Sequence, residues 1–287
     1  MGAGKQVRYE SADKPDIGST GQPVASLVYP DGSRLLLLPH GTRVLGLYAA
    51  SDDQNFVWTN PALAAAESAR AFFKSDRWHN SGGDRAWVAP EIDVFFPTFP
   101  KTEVYRVPPQ LDPGRYEPAG QSKVAYYSTC MLTLSRSRRT IRLKILKSWS
   151  WAPNPLRYEP MWKSLESVQY AGYTRRTILR LVRGSAREAA PVGIWNLRQL
   201  PPGGIFFAPT HTRTRPTLYF GTIPPRDLVT QRHAVYYTMS VKGIQEIGIR
   251  ASAATGRAGY LYEHGSSWAL VVKNFFVDPS GEYVDVP

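Results

Sequence analysis

The chain has 287 residues, 35 lysines and arginines against 23 acidic residues, and a formal charge of +12. A single cysteine, Cys130, excludes an internal disulfide and a cysteine-built zinc site. No apolar run approaches the roughly 18 residues needed to cross a membrane.

The first residues, 1–22, are polar and rich in Gly, Lys and Asp, and read as a flexible lead-in without a signal-peptide core. On that reading the chain is cytoplasmic as given, and secreted if a leader has been removed. Val24–Tyr29 and Arg34–Pro39 are apolar runs joined by Pro30-Asp31-Gly32-Ser33, a hairpin signal. Arg43–Ala49 and Asn55–Thr59 continue as strands. Asn60 and Pro61 suit a helix start, and Ala62–Phe73 is rich in good helix formers, so one short helix is predicted near 61–74.

Beyond residue 100 the pattern returns to strands. Ile141, Leu143 and Ile145 alternate with Arg142 and Lys144, the period of a half-buried strand. Tyr173–Ile178 and seven further short runs between Gly193 and Phe275 follow, with Pro- and Gly-containing turns between several of them. Cys130, inside the apolar run Tyr126–Leu134, is expected to be a buried strand residue. So many short strands predict a mainly β, antiparallel domain over residues 23–287. The Pro-rich stretches near 97–118 and 152–160 read equally as crossings between sheets or as linkers.

The segment with most chemistry is Trp78-His79-Asn80-Ser81-Gly82-Gly83-Asp84-Arg85-Ala86-Trp87-Val88-Ala89-Pro90-Glu91. Gly-Gly allows a tight turn or a close backbone approach to a ligand. Arg can hold a carboxylate or hydroxyls in a fork, and Trp can stack on a sugar ring. The alternative is an internal ion pair, Asp84–Arg85 or Arg85–Glu91. A second constellation is Thr210-His211-Thr212-Arg213-Thr214-Arg215, where an extended backbone would put His211, Arg213 and Arg215 on one side. Phosphate-loop, nucleophile-elbow and dinucleotide patterns are absent: Gly2-Ala-Gly4-Lys5 lacks the spacing of a phosphate loop. Neither metal nor cofactor is indicated.

Three runs carry a resemblance: Leu36–Pro39 through Gly41–Gly46, Asn55–Pro61, and above all Gly82-Gly83-Asp84-Arg85-Ala86-Trp87-Val88-Ala89-Pro90-Glu91. Ile194–Gln199 and Lys242–Tyr260 add later strands. Together they resemble a group of bacterial proteins related to galactose mutarotase, over roughly residues 24–285. The resemblance implies an antiparallel supersandwich with a sugar-binding cleft. It also implies a histidine acid and a late glutamate base acting at the anomeric carbon, a mutarotase- or epimerase-like reaction. The sequence departs from that pattern in leaving the acid open among five histidines, and the base to Glu263 or Glu282. Relatives run on beyond the position of Pro287, which leaves room for a further C-terminal segment.

The expected site is therefore His79, Glu91 and His211 as catalytic candidates, with Arg85, Trp87, Asn80 and Arg213 binding a small sugar or oligosaccharide. The basic balance would suit an acidic sugar. The competing readings are a polyanion- or nucleic-acid-binding protein, and a non-catalytic interaction module on the same fold.

Overall fold

The computed structural model describes residues 8–11, 24–182, 191–240 and 243–284. Strand accounts for 39 % and helix for 12 %, so the protein is mainly β. Every strand pairing among the described residues is antiparallel. The chain forms two compact units, Met1–Gln199 and Leu200–Pro287. Most of the expected lead-in and the phosphate-loop-like Gly2–Lys5 lie outside the described residues, as do Lys242 and residues 285–287. Within the lead-in, Arg8–Ser11 is a strand.

Among the described residues the first unit contains three sheets. Strands β1 (Arg8–Ser11), β2 (Ala25–Val28), β3 (Arg34–Leu38) and β4 (Arg43–Tyr48) pair in sequence order. The Pro-Asp-Gly-Ser turn joins β2 to β3 as predicted, with Gly32 at positive φ and Asp31 accepting from Ser33. β5 (Asp84–Ala89) forms a ribbon with β10 (Gly193–Arg198). β6 (Glu117–Pro118), β7 (Ala125–Thr133), β8 (Thr140–Trp151) and β9 (Tyr173–Leu181) make the third sheet. Cys130 is buried on β7, and burial pushes its thiol up to about 11.

The predicted helix is interrupted. Asn60 caps a single 3₁₀ turn, Pro61–Leu63, its side chain accepting from the Ala62 N–H. Ala65 is extended, and the α-helix proper, α1, runs Ala66–Lys74. Leu63 and Ala69 are both buried beside Leu38 and Leu45, so the break lets both pieces reach one apolar patch. A second short helix, α2 (Glu91–Val94), follows β5.

β8 organises the core. Its inward residues Ile141, Leu143 and Ile145 pack with Trp87, Val88 and Phe95. Farther along the same face, Trp149 packs with Leu27, Leu35, Leu37 and Val44. Between the two clusters that inward face carries Lys147, which is 2 % exposed. The core of the first unit is thus split by a polar seam.

In the second unit, β11 (Ile205–Pro209), β13 (Leu228–Thr230), β14 (Ala234–Thr238), β16 (Arg257–His264) and β17 (Ser267–Asn274) form a five-stranded sheet ordered β13-β14-β11-β16-β17. β12 (Thr217–Phe220) and β15 (Glu246–Gly248) pair separately. One face buries Val235, Tyr237, Ala208, Tyr260, Tyr262 and Ala269.

Candidate functional site

Two glycines set the site. Gly82 and Gly83 both have positive φ, +90° and +68°. A Cβ on Gly83 would stand 1.9 Å from the Val44 carbonyl oxygen, and one on Gly82 2.4 Å from that of Trp58. The close approach is therefore to the chain's own backbone, not to a ligand. It brings three segments together: the Gly83 N–H donates to Trp58 O, Gln199 N–H to Gly83 O, and Trp58 N–H to Gln199 O. Gln199 is thereby fixed beside the start of β5.

Alternation along β5 then sends Asp84 to one face, and Arg85 and Trp87 to the other. Arg85 is 8 % exposed. Its Nη1 donates to Gln199 Oε1 at 2.7 Å and Asn80 Oδ1 at 3.2 Å. The guanidinium carbon lies 4.2 Å from the centroid of the Trp87 ring and 5.2 Å from that of Trp78. Among the described residues its Nε has no hydrogen-bond partner. Among the described residues the hydrogen bonds of the Arg85 side chain go to these two neutral amide oxygens, and the carboxylate of Asp84 is engaged instead by Tyr173 and Arg175. Burial, with repulsion from Arg43, lowers its pKa to about 10, against the attraction of Asp112.

Trp87 is buried against Phe95 and Trp195, so the stacking face expected of it is covered. Trp78, at 36 % exposure, is the indole that reaches solvent. Both indole N–H groups donate to Asp112 Oδ2, at 2.8 Å from Trp87 and 3.1 Å from Trp78. Arg43 Nη2 donates to both oxygens of the same carboxylate, at 2.6 Å to Oδ1. Burial alone would raise Asp112; the Arg43 charge and the three donor groups outweigh it and hold the carboxyl below its ordinary value.

The opposite face of β5 is also polar. Asp84 Oδ1 accepts from the Val44 N–H, and Oδ2 from the Tyr173 hydroxyl at 2.6 Å, with Arg175 Nη1 at 2.9 Å. Burial opposes ionisation of Asp84, yet Arg175, Arg198 and these hydrogen bonds hold its pKa below the ordinary value. Lys147 Nζ donates to Gly41 O at 3.2 Å and lies 4.3 Å from the centroid of the Tyr116 ring. Burial depresses its pKa to about 7, helped by Arg175 and Arg43 and opposed by Asp112 and Asp84.

Asn80, Arg85 and Trp87 of the expected site therefore come together, joined by Trp78, Gln199, Asp112 and Arg43. His79 adjoins them in sequence but turns its ring to Ser75 Oγ, at 3.0 Å, and to Phe72 and Phe73. Glu91 opens α2, where its carbonyl accepts from the Phe95 N–H. His211 and Arg213 belong to the second unit, are exposed, and lie in a bend and an irregular stretch rather than an extended strand.

Sequence reasoning missed Lys147, Arg43 and Asp112. One signal was available: carrying the Ile141–Ile145 alternation one step further places Lys147 on the apolar face. Among the described residues no cluster of His, Cys, Asp and Glu could hold a metal ion, and no helix is long and apolar enough to cross a membrane. Comparison of the chain with family models, with curated proteins and with solved structures finds no match in any of the three.

Proposed function

We propose that the first unit binds a carbohydrate bearing an acidic group, on a fold of the mutarotase-like supersandwich type. The observation that carries this reading is Arg85: among the described residues, a buried guanidinium paired only with amide oxygens and indole faces, its Nε unpaired. A buried cation with no directly bonded carboxylate, its nearby Asp112 already engaged by Arg43, is costly. A carboxylate or phosphate on the ligand would supply both the charge and the missing acceptor. Around it, Trp78 offers an apolar face to a pyranose. Asn80 and Gln199, amides on the same rim, suit hydroxyl groups. The split core supports the supersandwich reading, since two sheet-on-sheet packings meet at β8.

A reaction at the anomeric carbon would need an acid at the ring oxygen and a base at the anomeric hydroxyl. His79 adjoins the site in sequence, but its ring is held by Ser75 Oγ, Phe72 and Phe73, so the proposal is one of binding and assigns no acid. The test is saturation-transfer NMR with galacturonic acid, galactose 6-phosphate and galactose. The acidic sugars should give signals that Arg85→Met reduces at least tenfold in affinity. Equal binding of galactose and its acidic derivatives, or full binding by Arg85→Met, overturns the reading.

A further inference from the structure

The outward face of the β6–β9 sheet carries a charge pattern that folding does not require. Strands β7, β8 and β9 contain six basic residues and no acidic one. Two of the six, Lys147 and Arg175, point inward. The other four, Arg142, Lys144, Arg176 and Arg180, alternate outward and are exposed. The register sets Lys144 directly opposite Arg180. Like charges so placed destabilise a sheet. With neighbouring strands about 4.8 Å apart and alternate residues about 6.7 Å apart along a strand, Arg142, Lys144 and Arg180 form a close grid of positive charge. The β7–β8 turn adds the exposed Arg138.

We infer that this face docks an acidic polysaccharide, a chain with a carboxylate on each ring. Charge complementarity selects a polyanion. The side chains then select among polyanions. Tyr127, the aromatic residue of β7 on this face, is already engaged: its hydroxyl donates to Glu117 and Lys144 Nζ lies 4.9 Å from its ring centroid. Unpaired nucleic-acid bases need free aromatic platforms. A lipid surface needs exposed Trp or Phe anchors, or several exposed Leu, among the cations; the residues among these cations are Thr129, Met131, Ile178 and a single half-buried leucine, Leu146, with no Trp or Phe. A polyuronate needs neither, only cations in a regular array and hydroxyl-compatible neighbours. The residues involved are separate from those of the Arg85 site, so each proposal stands or fails alone.

The test uses the full chain and fluorescently labelled oligogalacturonate, followed by anisotropy at 50–200 mM NaCl. Four charge contacts predict a slope of log affinity against log salt of about −3, and hence about a 50-fold loss over that range. Lys144→Gln/Arg180→Gln should weaken binding at least tenfold. It should leave the melting temperature unchanged or raised, because a repulsion has been removed, and leave monosaccharide binding at Arg85 intact. Three results would overturn the proposal: a neutral polysaccharide of equal length binding as well, a salt-independent affinity, or the double variant binding like the wild type. Tighter binding of a single-stranded oligonucleotide or of phosphatidylserine vesicles at matched charge would overturn it in favour of that partner.

Discussion

Replacing Lys147 by Met should stabilise the protein, and by an amount that depends on pH. Lys147 sits on the apolar face of β8, its ammonium held by one carbonyl and the Tyr116 ring. Its pKa of about 7 lies below the ordinary 10.5. In the unfolded chain the amine binds its proton up to the ordinary value; in the folded chain it gives the proton up near 7. Between those limits the unfolded state holds more protons, so this group's contribution to stability rises with pH and is lost as pH falls toward 7. From pH 6 to pH 9 the difference integrates to about 2–3 kcal/mol. Met matches the lysine stem in length and carries no charge. Urea denaturation of both proteins at pH 6 and pH 9 checks this: the advantage of Lys147→Met should be about 2–3 kcal/mol larger at pH 6. An advantage that differs by less than about 0.5 kcal/mol between the two pH values would refute the assignment of Lys147 as a desolvated amine.

Other expectations concern the same framework. Gly83→Ala forces a Cβ onto the Val44 carbonyl at positive φ, and should cost more than about 3 kcal/mol by chemical denaturation, whereas Gly203→Ala, with open space around it, should cost much less. Arg43→Met strips the charge partner from buried Asp112 and should cost about 3–5 kcal/mol, with Arg43→Met/Asp112→Asn recovering part of that loss. Asp84 and Asp112, both held below the ordinary carboxyl pKa of 3.8, contribute stability that is present above that value. It is lost as pH falls through their folded-state values. Acid titration should therefore show a steeper loss below pH 4 in the wild type than in Asp84→Asn.

Local features of the fold were legible where chemistry is local. The Pro30–Ser33 hairpin, the β8 alternation and the Asn60 cap all depend on neighbouring residues and can be read from them. The break at Ala65 was not legible, because residues 62–67 are all good helix formers; it is the shared burial of Leu63 and Ala69 that divides them. The candidate site was half legible. Gly82–Glu91 stood out by composition, but the meaning of its glycines depends on Val44 and Trp58, distant in sequence. Asp112 sits in a Pro-rich crossing with no periodic pattern, and its partners come from positions 43, 78 and 87. Such a carboxylate is defined by the fold, not by its neighbours.

The most direct test of the central claim is an amide- and guanidinium-resolved NMR titration with galacturonic acid. The Arg85 Nε–H, the Trp78 Nε1–H and the side-chain amides of Asn80 and Gln199 should shift together along one saturable curve. Saturable shifts confined to other residues, or no shifts at millimolar sugar, would contradict that claim.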